Sequence, residues 1–347
     1  MIFFNNDYSE GCHEHVLKKL IETNMEQTSG YGEDPHCRCA ADKIRKLCGR
    51  EDLAVHFLVG GTQTNLTVIS AALRTHQGAV GADSAHIATH ETGAIEATGH
   101  KVLTIPSTDG KIYAEQVENL VRLHRQDPSF EHIVQPKLVY ISNPTEWGTL
   151  YTRKELERLS SVCKQYGLYL FMDGARLGYG LMAEGNDVTM RDIASLCDVF
   201  YVGGTKVGAL FGEAVVISNP CLAEDFRYVM KQHGAMLAKG RLLGVQFDAL
   251  LEDDLYFKIA ERADRLADKM KAAFRDHGFR FYRESPTNQL FPILPSDVRK
   301  KLAEKYVFIE MDPVDADNCA VRFCTSWATT EENVDAFCED LKVICNS

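Results

Sequence analysis

Positive charge is scarce in this 347-residue chain: 38 Lys and Arg stand against 49 Asp and Glu, a formal net charge of −11. An acidic chain has no general attraction for a nucleic-acid backbone or an anionic membrane surface, so neither partner is expected, although a local basic spot could still hold a small anion. Long apolar runs are missing too; none approaches the roughly 20 residues of a membrane-spanning helix. The N-terminus, MIFFNNDYSEG, has a short apolar stub without a basic stretch before it, which argues against a secretory signal. No Cys-x-x-Cys pairs occur. The 11 cysteines are odd in number and scattered, with only Cys37 and Cys39 close together. That pattern excludes the usual structural zinc site, predicts no metal, and fits reduced thiols in a cytoplasmic protein. Low-complexity segments, internal repeats and a Pro/Gly-rich linker are also absent.

What is present is a chain 45% hydrophobic and long enough for about two domains. Short apolar runs at 53–59, 101–105, 138–142, 168–172, 199–202 and 214–217 alternate with helix-like stretches such as 152–166. Several runs are apolar almost throughout, as expected of strands covered on both faces. Alternating strand and helix predicts an α/β unit with a mainly parallel sheet. Beyond about residue 245 the pattern changes. One long amphipathic helix spans 254–277, then short strand candidates at 279–282, 289–293, 307–310 and 320–323 precede a last helix at 331–344. This predicts a smaller α+β domain over 251–347 appended to a large domain over 1–250, with the N-terminal segment free to pack on the smaller one.

In an open α/β sheet, ligands gather beyond the carboxyl ends of the strands. Three such places carry chemistry. In HFLVGGTQTN, residues 56–65, a strand runs into Gly60-Gly61, and Thr62 opens a helix. Glycines admit close approach of a ligand, and a helix N-terminus favours an anion, so this reads as a phosphate cup; an ordinary strand-to-helix turn with a Thr cap is the plainer alternative. In LYLFMDGAR, residues 168–176, a strand delivers Asp173 into a turn with Arg176 beyond. The carboxylate suits a protonated ring nitrogen, the small Ala175 leaves room for a flat ring, and a buried Asp–Arg pair that merely fastens the turn is the alternative. In DVFYVGGTKVGALFGEAVV, residues 198–216, a strand ends at Gly203-Gly204 and is followed by Thr205 and Lys206. A lysine desolvated in such a stretch has a lowered pKa and attacks aldehydes. Phosphate cup, ring-nitrogen carboxylate and amine nucleophile, in that order, are the three attachments of pyridoxal phosphate (PLP). The Gly-x-Gly-x-x-Gly spacing of a dinucleotide fold is not met.

The chain resembles the threonine aldolase family, in the β-eliminating lyase group of fold-type-I PLP enzymes. The matching stretches are YGEDP at 31–35, GGTQTN at 60–65, AHIATHETGAIEATG at 85–99, DGARL at 173–177, the lysine loop at 203–208, KQHGAMLAKG at 231–240 and VRFCTSWAT at 321–329. The resemblance implies an α/β, PLP-transferase-like large domain with a mainly parallel seven-stranded sheet, and a small α+β domain. It implies that Gly61, Thr62 and Thr205 bind the cofactor, that His86 stacks on its ring, and that Asp173 holds the ring nitrogen. Arg176 would meet the phenolate oxygen, and Lys206 would carry the cofactor as a Schiff base. Arg322 would grip the substrate carboxylate, a natural use of a bidentate fork, with Asn6 assisting. Tyr31 and Lys231 would reach a neighbouring subunit's site, making the protein a homo-oligomer, dimer or tetramer, with shared active sites.

The expected reaction is retro-aldol cleavage of a β-hydroxy-α-amino acid, L-threonine or L-allo-threonine, to glycine and an aldehyde. His86 or an ordered water would take the hydroxyl proton, and Glu91 could share proton work. One stretch departs from the family pattern. Where the family has Asn-Thr-His-Asn, this chain has SNPTEWGT at 142–149, so Thr145 or Glu146 replaces a histidine that handles the substrate hydroxyl. β-Elimination or transamination of another amino acid is therefore the competing reading. A non-catalytic binding protein on the same fold is a further one, set against the completeness of the Asp, Lys and Arg set.

Overall fold

The alternating pattern builds a three-layered α/β body in the computed structural model, which describes residues 1–346. The strands, in chain order, are β1 (Ile2–Phe3), β2 (Ala54–Leu58), β3 (Gln77–Ala82), β4 (Lys101–Ile105), β5 (Gln135–Ser142), β6 (Tyr169–Asp173), β7 (Val199–Gly203) and β8 (Glu213–Ile217). They are followed by β9 (Phe281–Arg283), β10 (Gln289–Pro295), β11 (Tyr306–Val307), β12 (Ile309–Pro313) and β13 (Asn318–Cys324). Seven of them form the main sheet in the order β2-β8-β7-β6-β5-β3-β4. The pairs β7–β6, β6–β5, β5–β3 and β3–β4 are parallel, and only β8 runs antiparallel to its neighbours. Residues of β3, β7 and β8 are buried throughout, which is why those strands show no polar alternation.

Within the main sheet, β3 is the strand with no counterpart among the sequence expectations; outside it, the short β1 was not expected either. The sequence of β3, QGAVGA, has no run of large apolar residues. The reason is steric: a Cβ at Gly78 would lie 2.8 Å from the Lys101 carbonyl oxygen and 2.9 Å from Val134 Cγ1. The other expected strands stand within a few residues of their predicted limits, and the helix Arg153–Tyr166 starts on a capping box made by Thr152 and Glu155.

Two buried apolar clusters lie along the long helix Leu255–Asp276. Tyr256, Ile259, Ala260 and Ala263 belong to the larger cluster around the main sheet. Leu266, Ala267, Met270 and Phe274 belong to a second cluster under the antiparallel sheet β12-β13-β10-β9. The N-terminal segment joins the second: β1 pairs with β11, and Phe4 is buried against Tyr306, Phe323 and Phe337. Among the described residues no helix is long and apolar enough to cross a membrane.

Candidate active site

All three expected attachment points lie at the carboxyl ends of main-sheet strands, and one helix links two of them. The helix Gly61–Ala72 follows β2; Gly60 precedes it with no side-chain cap, and a Cβ there would meet nothing within 4 Å. Its first backbone N–H groups are therefore open, Gly61 half-buried and Thr62 exposed. One turn on, Asn65 is fully buried and its amide donates to Asp173 Oδ2 at 3.2 Å and to Glu91 Oε1 at 2.7 Å.

Asp173 ends β6. Besides Asn65 it receives the Tyr140 hydroxyl at 2.5 Å and the Ala175 N–H at 2.9 Å. Burial and the Asp173 charge push the Tyr140 phenol well above its ordinary pKa, so it stays a donor. Tyr201 on β7 points a buried, unpartnered hydroxyl into the same region, 3.3 Å from where a Cβ on Gly61 would sit.

Lys206 lies in the β7–β8 connection, half-buried, with no ion pair among the described residues. Burial lowers its pKa, as does the Arg176 charge; Asp7, Asp173 and Glu213 act in the opposite direction. Glu213 opens β8, and the antiparallel pairing of β7 with β8 sets it opposite Gly203. There it accepts from the Thr205 hydroxyl at 2.9 Å and the Gly204 N–H at 3.1 Å. Its own pKa is pushed up by burial to about 8. Thr205 thus has its hydroxyl committed within the loop, where it also accepts the Gly212 N–H at 3.0 Å.

Arg176 is claimed by Asp7. Its Nε and Nη2 donate to the two Asp7 oxygens at 2.7 and 3.0 Å, and Asn288 adds a bond to Asp7 at 2.9 Å. Asp7 is fully buried, which alone would raise its pKa, yet the Arg176 charge, the Lys206 charge and these hydrogen bonds hold it below the usual value. Nη1 of Arg176 keeps no protein hydrogen bond among the described residues.

His86 follows β3, its ring half-exposed. Nδ1 lies 2.8 Å from Glu91 Oε1, its backbone N–H donates to Glu146 Oε1 at 2.9 Å, and its ring stacks on His90 at 5.7 Å between centroids. Since Glu91 accepts at Nδ1, the neutral ring presents Nε2 as its free acceptor. Arg322 on β13 is half-buried and ties Nη2 to the Asn5 carbonyl at 3.1 Å; its Nε is buried without a partner, and its charge is felt at His90. Asn6 turns its side-chain oxygen to the Tyr8 N–H and the Ser9 hydroxyl. Tyr31 and Lys231 share no hydrogen bond or ion pair with these groups among the described residues. The Lys231 ammonium lies 4.8 Å from the centroid of the exposed Tyr31 ring, and Tyr31 adopts a left-handed φ of 60°.

The residues that the sequence reading passed over are Asp7, Asn65, Tyr140 and Tyr201. Asn65 closes the GGTQTN stretch, and a tyrosine inside a fully buried strand needs a partner for its hydroxyl, which was the available signal for Tyr140. Asp7 carried none, because its partners are 169 and 281 residues away.

The donor set fits PLP: an amine without an ion pair, a carboxylate with three donors converging on it, an uncapped helix N-terminus, and the buried unpartnered hydroxyls of Thr64 and Tyr201 between them. The Beta-eliminating lyase family model matches residues 7–295. The low specificity L-threonine aldolases of Pseudomonas sp. and Pseudomonas aeruginosa are 31% and 30% identical to this chain, each covering 99% of it, with 98% and 97% of their own length aligned. The solved structure of Leishmania major threonine aldolase superposes with a TM-score of 0.97 at 46% identity, covering 99% of this chain and all of that one. A Thermus thermophilus aspartate aminotransferase superposes at a TM-score of 0.72 with 18% identity, a likeness of fold alone.

Proposed function

The chain belongs to the beta-eliminating lyase family, and from that premise we propose that it is a PLP-dependent aldehyde-lyase that cleaves L-threonine or L-allo-threonine to glycine and acetaldehyde. The observation that carries this reading is the convergence of Lys206, Asp173 and the open helix at Gly61 on one crevice, with Asn65 of that helix bonded to Asp173. The relatives named for threonine cleavage align along the whole chain.

In this reading the backbone N–H groups of Gly61 and Thr62 take the phosphate, helped by the helix dipole. Asp173 faces the ring nitrogen, braced by Tyr140, Asn65 and Ala175. Arg176, held by Asp7, offers Nη1 to the phenolate oxygen, and Thr205 keeps the lysine loop folded against Glu213. The bound cofactor supplies an electron-withdrawing ring that takes up the electron pair left at Cα. Lys206, its pKa lowered by burial, would carry the cofactor through its amine. His86, oriented through Glu91, would stack on the ring. Arg322 grips the substrate carboxylate and Asn6 flanks it. These contacts would orient the substrate, and positioning would contribute much of the rate.

Tyr31 and Lys231 are assigned to the active site of a second subunit in a homo-oligomer. Their mutual contact and their exposure support this reading. The two apolar clusters along the helix Leu255–Asp276 support two domains, with the change between clusters falling from Ala263 to Leu266, inside the helix and beyond the expected limit at 250. The free thiols suit a reducing, cytoplasmic setting.

The test is aldehyde release by the purified protein from L-threonine, L-allo-threonine and L-serine, with a visible spectrum of wild type and Lys206→Ala. Glycine with acetaldehyde is expected from threonine, together with a cofactor absorption band that Lys206→Ala loses. No aldehyde from any β-hydroxy amino acid sinks the lyase reading, and L-serine turned to pyruvate instead would favour β-elimination.

A further inference from the structure

The loop after β5, residues 142–149, offers two side chains where the family pattern places a histidine, and the structure separates them. Thr145 is buried away from the crevice. Its hydroxyl bonds to Thr149 Oγ1 at 2.7 Å, and its N–H goes to the Thr149 carbonyl at 2.9 Å, so it is consumed in closing the turn. Glu146 projects the other way. Its Oε1 accepts from the Ser142 hydroxyl at 2.7 Å and from the His86 backbone N–H at 2.9 Å. Ser142 is registered opposite Asp173 across β5 and β6, so these bonds hold Glu146 between the ring-nitrogen carboxylate and the stacking imidazole. Both donors converge on Oε1, which leaves Oε2 free of any other residue's hydrogen bond among the described residues. Glu91 Oε2 is buried without a partner, whereas Glu146 is half-buried and its Oε2 is not among the buried, unpartnered atoms.

We infer that Glu146 is the catalytic base for the substrate's Cβ hydroxyl in the proposed lyase reaction, an assignment that rests on that reading. Oε2 accepts the hydroxyl proton, and the O–H electron pair becomes the second bond of the aldehyde carbonyl. The Cα–Cβ bond breaks, its electron pair stays with Cα, and Cα takes up one proton to complete glycine. The proton on Glu146 then passes to solvent, so the site returns to its starting state. In the synthetic direction the same carboxylic acid protonates the alkoxide. His86 is left to its stacking role, its Nδ1 committed to Glu91.

The surroundings favour a base stronger than an ordinary glutamate. Burial raises the Glu146 pKa and the Asp173 charge adds to this, while the Ser142 and His86 hydrogen bonds hold it down. The phenols of Tyr140 and Tyr151 also lie within its field, both kept protonated by burial. A carboxylate base with a raised pKa is better matched to taking a proton from an alcohol.

Glu146→Gln separates this role from mere support, because an amide oxygen accepts the Ser142 and His86 hydrogen bonds equally well. Wild type and variant, both loaded with cofactor, are compared in threonine cleavage over pH and in exchange of the glycine α-hydrogen for deuterium by NMR, a reaction that needs no Cβ oxygen. The expected result is a fall in kcat of about 100-fold or more with KM little changed. The acid limb of kcat/KM should be lost, and the glycine exchange and cofactor spectrum should match wild type. Glu146→Asp, which keeps a carboxylate, should retain the limb at reduced rate. Cleavage by Glu146→Gln within about threefold of wild type overturns the inference, as does exchange falling in parallel with cleavage, which would mark a support for His86. Wild type that exchanges glycine but cleaves no β-hydroxy amino acid overturns the lyase reading and this inference with it, a result distinct from the other two.

Discussion

Asn65 shows how much of the site hangs on single hydrogen bonds. Its amide spends one hydrogen on Glu91 and one on Asp173, so it keeps two carboxylates in place. Asn65→Ala strips a donor from both. Leaving buried acceptors unpaired costs about 1–3 kcal/mol. A lowered thermal midpoint and weaker cofactor retention on dialysis are expected, and a variant with unchanged midpoint and retention would show the bridge to be incidental. At this scale Lys206, Asp173, Arg176, His86 and Arg322 were legible as residue types following strands or within matching stretches. Asn65 and Tyr140 were not, because an amide and a phenol gain meaning only from the carboxylate they face.

At the scale of elements, the decisive feature is the contact between the ends of β6 and β7. The Gly203 N–H donates to the Gly174 carbonyl at 2.9 Å. A Cβ on Gly174 would lie 1.9 Å from the Tyr201 carbonyl oxygen, and one on Gly203 would lie 2.3 Å from the Ala175 carbonyl oxygen. Only glycines let these backbones meet, and the contact brings the Asp173 turn against the lysine loop. Gly174→Ala must push the two ends apart. Such overpacking costs about 3 kcal/mol or more in a rigid region. Urea unfolding should show that loss, with the cofactor band falling as well; full stability with a normal band would mean the loops can give. Gly174 and Gly203 were visible in the sequence as turn residues after strands. That they touch each other was not, nor was β3, whose small residues answer to neighbours from distant parts of the chain.

At the scale of the molecule, the N-terminal segment ties the two apolar clusters together. β1 and Phe4 lie with the second cluster, and four residues from β1 Asp7 bonds Arg176 at the main sheet and Asn288 beside β10. Asp7→Ala would leave Arg176 a buried charge without its partner, a loss of about 3–5 kcal/mol. Because Asp7 is held below its ordinary carboxylate pKa, its contribution is present above that value. It is lost as pH falls through the lowered one. The gap in thermal midpoint between wild type and Asp7→Ala should therefore be wide at neutral pH and close in acid below about pH 4. A gap that does not change with pH would deny the pair its role.

Strand and helix order, the mainly parallel sheet and the three strand-end motifs followed from the sequence by itself, because apolar runs, helical periodicity and glycine turns are local signals. The tertiary structure alone decided what each motif touches. It set Glu213 beside Lys206, gave Arg176 to Asp7, joined Asp173 to Glu91 through Asn65, and bonded Glu146 to Ser142 and His86 while Thr145 closed its turn on Thr149. Most of those outcomes depend on groups far apart in sequence that share one buried volume, where hydrogen bonding and desolvation act through distances that no local pattern records.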